Sequence, residues 1–258
     1  MRLMKRILSA AAVLALSASL LVGCSSGTAS SVPVSASSAA ESTVSSVEET
    51  ASSAVDENEA AAAQLLNDLT GSYQELWPVI LADEYKQTWL DDCTALVGED
   101  NAEAAFEKLS SMVTGDVYGE DAVKAYANGG GAYFCGFTNS LAILTFDGET
   151  STISGTDKDG NVLFSHTYHY IGMKPVRGLY EFQSDDADSG EFTYFFLAPD
   201  TSAETYHIEF RYGSDAEALS QYDTGEYAYW LASGISTDCD QTMIDNCIEL
   251  FCTENLAG

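Results

Sequence analysis

Basic residues are scarce in this 258-residue chain: ten Lys and Arg stand against forty Asp and Glu, a formal charge of −30. A chain so acidic is repelled by phosphate backbones, which excludes nucleic acid as a partner, and anionic lipid does not hold it by charge. Long apolar runs are also missing. The longest, Ile7 to Leu20, is fourteen residues and too short to cross a bilayer. The chain has no Gly-rich phosphate loop, Gly-x-Ser-x-Gly or His-Glu-x-x-His, so nothing points to catalysis, and the expectation is a non-enzyme. No Cys-x-x-Cys pair offers a thiolate zinc knuckle. Histidines number three: His166, His169 and His207.

The residues present at the N-terminus have an order. Arg2, Lys5 and Arg6 precede the apolar run, and Leu21-Val22-Gly23-Cys24 ends it. This resembles a bacterial lipoprotein signal peptide, which implies cleavage before Cys24, lipid on its thiol, and an extracytoplasmic protein anchored to the membrane. Residues 1–23 hold three of the ten basic residues and none of the forty acidic ones. The chain from Cys24 onward therefore carries seven basic and forty acidic groups, a formal −33. Such a field draws cations, divalent metals among them. Residues 24–57 are Ser, Ala, Thr, Val and a few Glu, too polar to bury a core, and predict a flexible tether with a span on the order of 30 Å.

The rest, 58–258, is long enough for one good core. Residues 59–128 read mostly helical: Glu59 to Leu69 ended by Gly71, a helix capped by Asn101 bearing Phe106, Leu109 and Val113, and Glu120 to Ala127 ended by a glycine run. The period then changes to two. Leu141–Phe146, Thr150–Gly155, Val162–Ile171, Gly178–Phe182, Phe192–Ala198 and Thr205–Tyr212 read as six strands, with Asp147-Gly148 and Asp159-Gly160 as turns. Short links in sequence order predict a meandering antiparallel sheet that curls into a barrel over 133–212. Helix returns over 214–254: Ser214–Tyr222, then a last helix capped by Ser236 or Thr237 and bearing Met243, Ile244, Cys247, Leu250 and Phe251. Five cysteines follow Cys24: Cys93, Cys135, Cys239, Cys247 and Cys252. Cys247 and Cys252 diverge on one helix, so any disulfide would reach Cys93 or Cys135, and the pairing stays open.

Strand parity sorts the histidines. His169 shares one side of its strand with Ser165 and Thr167, and His207 shares a polar side with Thr205, Glu209 and Arg211. If those faces line one barrel mouth, His169, His207 and Glu209 could hold a divalent metal. The bland alternative is solvent-facing residues, with Glu209 paired to Arg211. Asp157-Lys158-Asp159-Gly160-Asn161 begins like a calcium loop, but its twelfth position is Tyr168, so a hairpin turn is expected. Asp185, Asp186, Asp188 and Glu191 read as a solvated acidic turn.

Several segments, in order, resemble the ZinT family of extracytoplasmic zinc-binding proteins. They are Gly71-Ser72-Tyr73-Gln74-Glu75-Leu76-Trp77-Pro78; Arg177-Gly178-Leu179-Tyr180-Glu181-Phe182; Asp188 to Tyr194 followed by Ala198-Pro199; Tyr206-His207-Ile208; Gly213-Ser214-Asp215; and Trp230 followed by Ile235-Ser236. The resemblance implies a mainly β fold, a calycin or lipocalin-like antiparallel barrel with N- and C-terminal helices. It also implies zinc held by histidines at the barrel mouth, and work alongside an ABC-type zinc importer. The chain departs from the family's ligand pattern. No histidine stands just before Ala198-Pro199, and Thr205 occupies the first position of the family's His-x-His. Only His207 carries over, with His169, Glu209 or Glu204 as candidate substitutes. The resemblance therefore points to a zinc-binding lipoprotein with a remodelled site. Two competitors are a metal-free barrel binding a small ligand at its mouth, and a surface lipoprotein that binds a protein partner.

Overall fold

A computed structural model describes residues 57–174, 178–198 and 207–257, all within the compact unit 45–258. The leader 1–23, Cys24, nearly all of the tether, Arg177, Pro199, Glu204, Thr205 and Tyr206 lie outside the described residues.

The alanine-rich start forms helix α1 (57–68), where Ala62, Leu65 and Leu66 recur on one side and, with Leu69 in the turn that follows, are buried. The chain then enters strand β1 (Gly71–Glu75) and helix α2 (Leu76–Ile80). Helices α3 (Lys86–Val97), α4 (Glu99–Met112) and α5 (Glu120–Ala127) follow. Six strands come next: β2 (Ile143–Asp147), β3 (Thr152–Thr156), β4 (Val162–Met173), β5 (Tyr180–Ser184), β6 (Tyr194–Leu197) and β7 (His207–Gly213). Helix α6 (Ala216–Leu219), strand β8 (Ala232–Ser236) and helix α7 (Gln241–Leu256) complete the unit.

The strands pair in chain order, every pair antiparallel, and the sheet closes into an eight-stranded barrel. The expected fold class is therefore present, with two strands beyond the six expected. β1 and β8 make the closure: Tyr73 lies opposite Leu144 of β2 and Ser236 of β8. Two helix starts differ from expectation. α4 begins after Gly98 without a side-chain cap, and Asn101 instead donates to the Val97 carbonyl, 3.0 Å away. α7 is capped by Asp240, whose carboxylate accepts from the Met243 N–H at 3.0 Å, while Ser236 belongs to β8.

Alternate residues of each strand fill the barrel. Phe146, Ile153, Phe164, Tyr168, Phe182, Phe195, Phe210 and Tyr212 form one core with Trp230 and the buried face of α1. Phe195 centres the aromatic packing, with Tyr212 at 5.4 Å, Phe164 at 5.9 Å and Phe210 at 6.4 Å between ring centroids. Eight strands enclose a space just wide enough for side chains, and here rings occupy it. The β2–β3 turn presses on α1 at Gly148, where a Cβ would lie 2.4 Å from the Asn67 Cα, so only glycine fits without a shift.

A second core lies outside the barrel wall. Leu76, Trp77, Ile80, Trp89, Leu109, Ile244 and Ile248 pack with Ile235 of β8. Trp89 joins three helices: its indole N–H donates to the Ile80 carbonyl at 2.7 Å, and its ring meets Phe106 at 5.7 Å and Phe251 at 6.0 Å. The outer face of β8 is thus covered by α2 and α7, and the polar side of the neighbouring β7 faces a cavity that these helices line.

Candidate functional site between strand β7 and helix α7

β7 reads His-Ile-Glu-Phe-Arg-Tyr-Gly. Ile208, Phe210 and Tyr212 point into the barrel core, so His207, Glu209 and Arg211 point out. Opposite them on β8 stand Ile235 (facing His207) and Ser233 (facing Glu209). His207 and Glu209 are half-buried; Arg211 is fully buried.

Arg211 has a structural task. Its guanidinium donates to the carbonyls of Leu219, Gln221 (2.9 Å) and Tyr227, and it stacks 4.5 Å above the Tyr222 ring. One planar fork with several donors thereby ties the segment after β7 back to the barrel wall.

His207 and Glu209 line a small cavity of about 70 Å³ with Glu254 and Cys247 of α7, walled by Trp77 and Phe251. A larger cavity of about 420 Å³ shares Trp77, Glu209, Phe251 and Glu254 and adds Tyr133 and Leu231. The buried indole N–H of Trp77 has no hydrogen-bond partner among the described residues. Burial, with Cys239, Glu254 and Glu209 nearby, pushes the Cys247 thiol up to about 12. In the absence of metal the Cys247 thiol is therefore neutral at pH 7.

The expected constellation is only partly brought together. His207 and Glu209 are neighbours, but His169 is not with them, and the reading of a shared barrel mouth is corrected. Both histidines face outward, from strands β4 and β7, three of eight positions apart, so their side chains diverge by roughly 135° around the wall. His169, half-exposed, meets Asp185 through Nδ1 at 2.6 Å, and His166 meets Asp186 through Nδ1 at 2.7 Å. The acidic segment after β5 therefore holds partners for both β4 histidines. Asp157 accepts from the backbone N–H groups of Asp159 (2.9 Å) and Asn161 (2.8 Å), the hydrogen bonding of a hairpin turn.

Glu254 was not among the expected site residues. Cys247, Phe251 and Glu254 fall at i, i+4 and i+7 of α7, so a carboxylate interrupts an apolar helix stripe, which is a signal present in the sequence. Among the described residues, no group of three or more His, Cys, Asp or Glu side chains is gathered so as to hold a metal ion. His207 and Glu209 of β7 and Glu254 of α7 line one cavity.

No family model matches the chain, and no curated protein matches it. Among solved structures it is similar to the Zn(II)-bound ZinT-like domain of Streptococcus pneumoniae AdcA, with 15% identity and a TM-score of 0.45, over 71% of this chain and 89% of that one. It is also similar to Zn(II)-bound AdcA from the same organism, with 14% identity and a TM-score of 0.42, over 72% of this chain and 35% of that one.

Proposed function

We propose that this protein is a lipid-anchored, extracytoplasmic binder of divalent cations, zinc in the first place, of ZinT type with a remodelled site. It takes zinc as cargo for an ABC-type zinc importer and holds it at β7 and α7. The observation that carries this reading is the pair His207 and Glu209, two residues apart on one side of β7, facing a cavity that Glu254 enters from α7. His207 is also the position at which the sequence resembles a family ligand. One imidazole and two carboxylates form a nitrogen–oxygen donor set suited to zinc and tolerant of harder divalent ions. Because no three donors are already gathered among the described residues, closure around an ion requires side-chain rearrangement. That cost makes binding weaker than at a preformed three-histidine site, which suits a cargo that must be released.

Titration calorimetry of the full-length chain, purified without a histidine tag, tests the reading. Expected are about one zinc per chain with a dissociation constant below about 1 mM, loss of binding in His207→Ala, and retention in His169→Ala. Absence of binding heat up to millimolar zinc removes the proposal.

The larger cavity favours a second reading. Its aromatic walls, two carboxylates and the orphaned Trp77 N–H suit a small ligand with a cationic group and an acceptor. The barrel interior, filled by rings, does not offer that space. Ligand-induced quenching of tryptophan fluorescence that persists without metal would support this reading.

A further inference from the structure

Of the five cysteines in the described residues, two are brought face to face. The sulfurs of Cys93 on α3 and Cys252 on α7 lie 3.9 Å apart, 159 residues apart in sequence, and both side chains are fully buried. From this geometry we infer that Cys93 and Cys252 form a disulfide that staples α3 to α7, which goes beyond the metal-binding reading and shares with it only the extracytoplasmic location.

The surroundings suit a bond. α3 and α7 are already held in register by Trp89, four residues before Cys93, against Phe251, the residue before Cys252. The sulfurs must approach from 3.9 Å to about 2.05 Å, the disulfide length, which side-chain rotation with a small helix shift supplies. Cys247 cannot replace Cys252, because five positions along a helix turn it about 140° away. Cys135 has its sulfur 3.9 Å from the Tyr133 carbonyl instead. An extracytoplasmic location, as proposed above, is a compartment where such bonds persist.

The chemistry is thiol–disulfide exchange with a low-molecular-weight or protein disulfide as oxidant. One cysteine thiolate attacks the oxidant's S–S bond and expels one thiol. The second cysteine thiolate then attacks the mixed disulfide and expels the other. In sum, Cys93–SH, Cys252–SH and RSSR give Cys93–S–S–Cys252 and two RSH, with both protons leaving on the released thiols. Burial raises both thiols above their ordinary range, so in the folded chain they are neutral and shielded from oxidant. The bond therefore forms during folding, before α7 closes over α3.

The experiment is refolding of the full-length, fully reduced chain in a buffer of oxidised and reduced glutathione. Remaining thiols are then alkylated, and the chain is digested and mapped by mass spectrometry without reduction. The expected product is one linked peptide pair joining Cys93 to Cys252, about 2 Da lighter than the two thiol peptides together. Refolding with the reduced form alone should leave both cysteines alkylatable after denaturation. In urea melts, the oxidised chain should show a folded-to-unfolded ratio roughly a hundred- to several thousand-fold above the reduced chain, the upper end being the loop-closure value for about 160 residues. The double variant Cys93→Ala/Cys252→Ala should show no response to reductant. Recovery of Cys93 and Cys252 as alkylated thiols after oxidative refolding, or linkage of either to another cysteine, overturns the inference. The mapping uses the natural chain and holds even if the variant folds poorly.

Discussion

Replacing Asp92 by Asn should stabilise this protein at neutral pH, and the gain should vanish in acid. Asp92 sits on α3 beside Cys93, partly buried, and its Oδ2 has no hydrogen-bond partner among the described residues. Burial, with Glu249, Asp245 and Asp91 adding like charge, pushes its carboxyl from 3.8 up to about 6. Because the folded value exceeds the unfolded one, the native state binds the extra proton between these limits. The stability from this group is fully present below pH 3.8 and is lost as pH rises through 6. Each pH unit between them corresponds to about 1.4 kcal/mol, giving a ceiling of ~3 kcal/mol, and solvent screening of a partly exposed group lowers this to about 1–2 kcal/mol. Asn keeps the shape, carries no charge and can donate to the α7 carboxylates. The variant should therefore be more stable than the natural chain by about 1–2 kcal/mol at pH 7, or roughly 2–8 °C in Tm. The difference should shrink toward zero at pH 4 and fall at pH 7 as salt is raised. Urea melts of both chains across pH 4 to 8 measure it. A pH-independent difference, or a variant less stable at pH 7, refutes the placement of Asp92, partly buried, among the acidic side chains of α3 and α7.

Two further substitutions probe the frame around the site. Gly148→Ala should destabilise by about 1–3 kcal/mol, since the added Cβ meets the backbone at Asn67 and not a flexible side-chain tip; limited proteolysis should then cut first at α1, and an unchanged cleavage pattern would count against the packing of α1 on the β2–β3 turn. Arg211→Lys keeps the charge but loses the fork that reaches the Leu219, Gln221 and Tyr227 carbonyls, and should cost about 2–4 kcal/mol in urea melts; a cost under about 0.5 kcal/mol would show that the fork does not hold the segment after β7.

The middle strands were legible because each carries its own signal. β2 to β5 and β7 alternate polar and apolar residues, β6 is a short apolar run, and Asp-Gly pairs mark two of the turns. The closing strands carry none. β1, Gly-Ser-Tyr-Gln-Glu, sits between helices and 68 positions before its partner strand, as Ile143 follows Glu75. β8, Ala-Ser-Gly-Ile-Ser, is covered on both sides, by the barrel core and by α2 and α7, so its burial does not alternate and its small residues look like loop. Helix ends shifted for a local reason: side-chain oxygens near each start compete, and Asp240 won the cap of α7 over Ser236, which the sheet had claimed. The site was half legible. Parity put His169, His207 and Glu209 on polar strand faces, and all three do face outward. Parity tells inside from outside, however, and says nothing of position around a closed wall, which is what separates His169 from His207. Glu254 needed the helix α7 to be laid over β7, a contact that no local pattern encodes.

Zinc-edge X-ray absorption on the zinc-loaded full-length chain tests the proposed site most directly. The bound zinc should show one imidazole nitrogen with oxygen donors at about 2.0–2.2 Å and no sulfur, and the imidazole signal should vanish in His207→Ala. A sulfur shell near 2.3 Å, or two imidazoles lost one at a time with His207→Ala and His169→Ala, would contradict it.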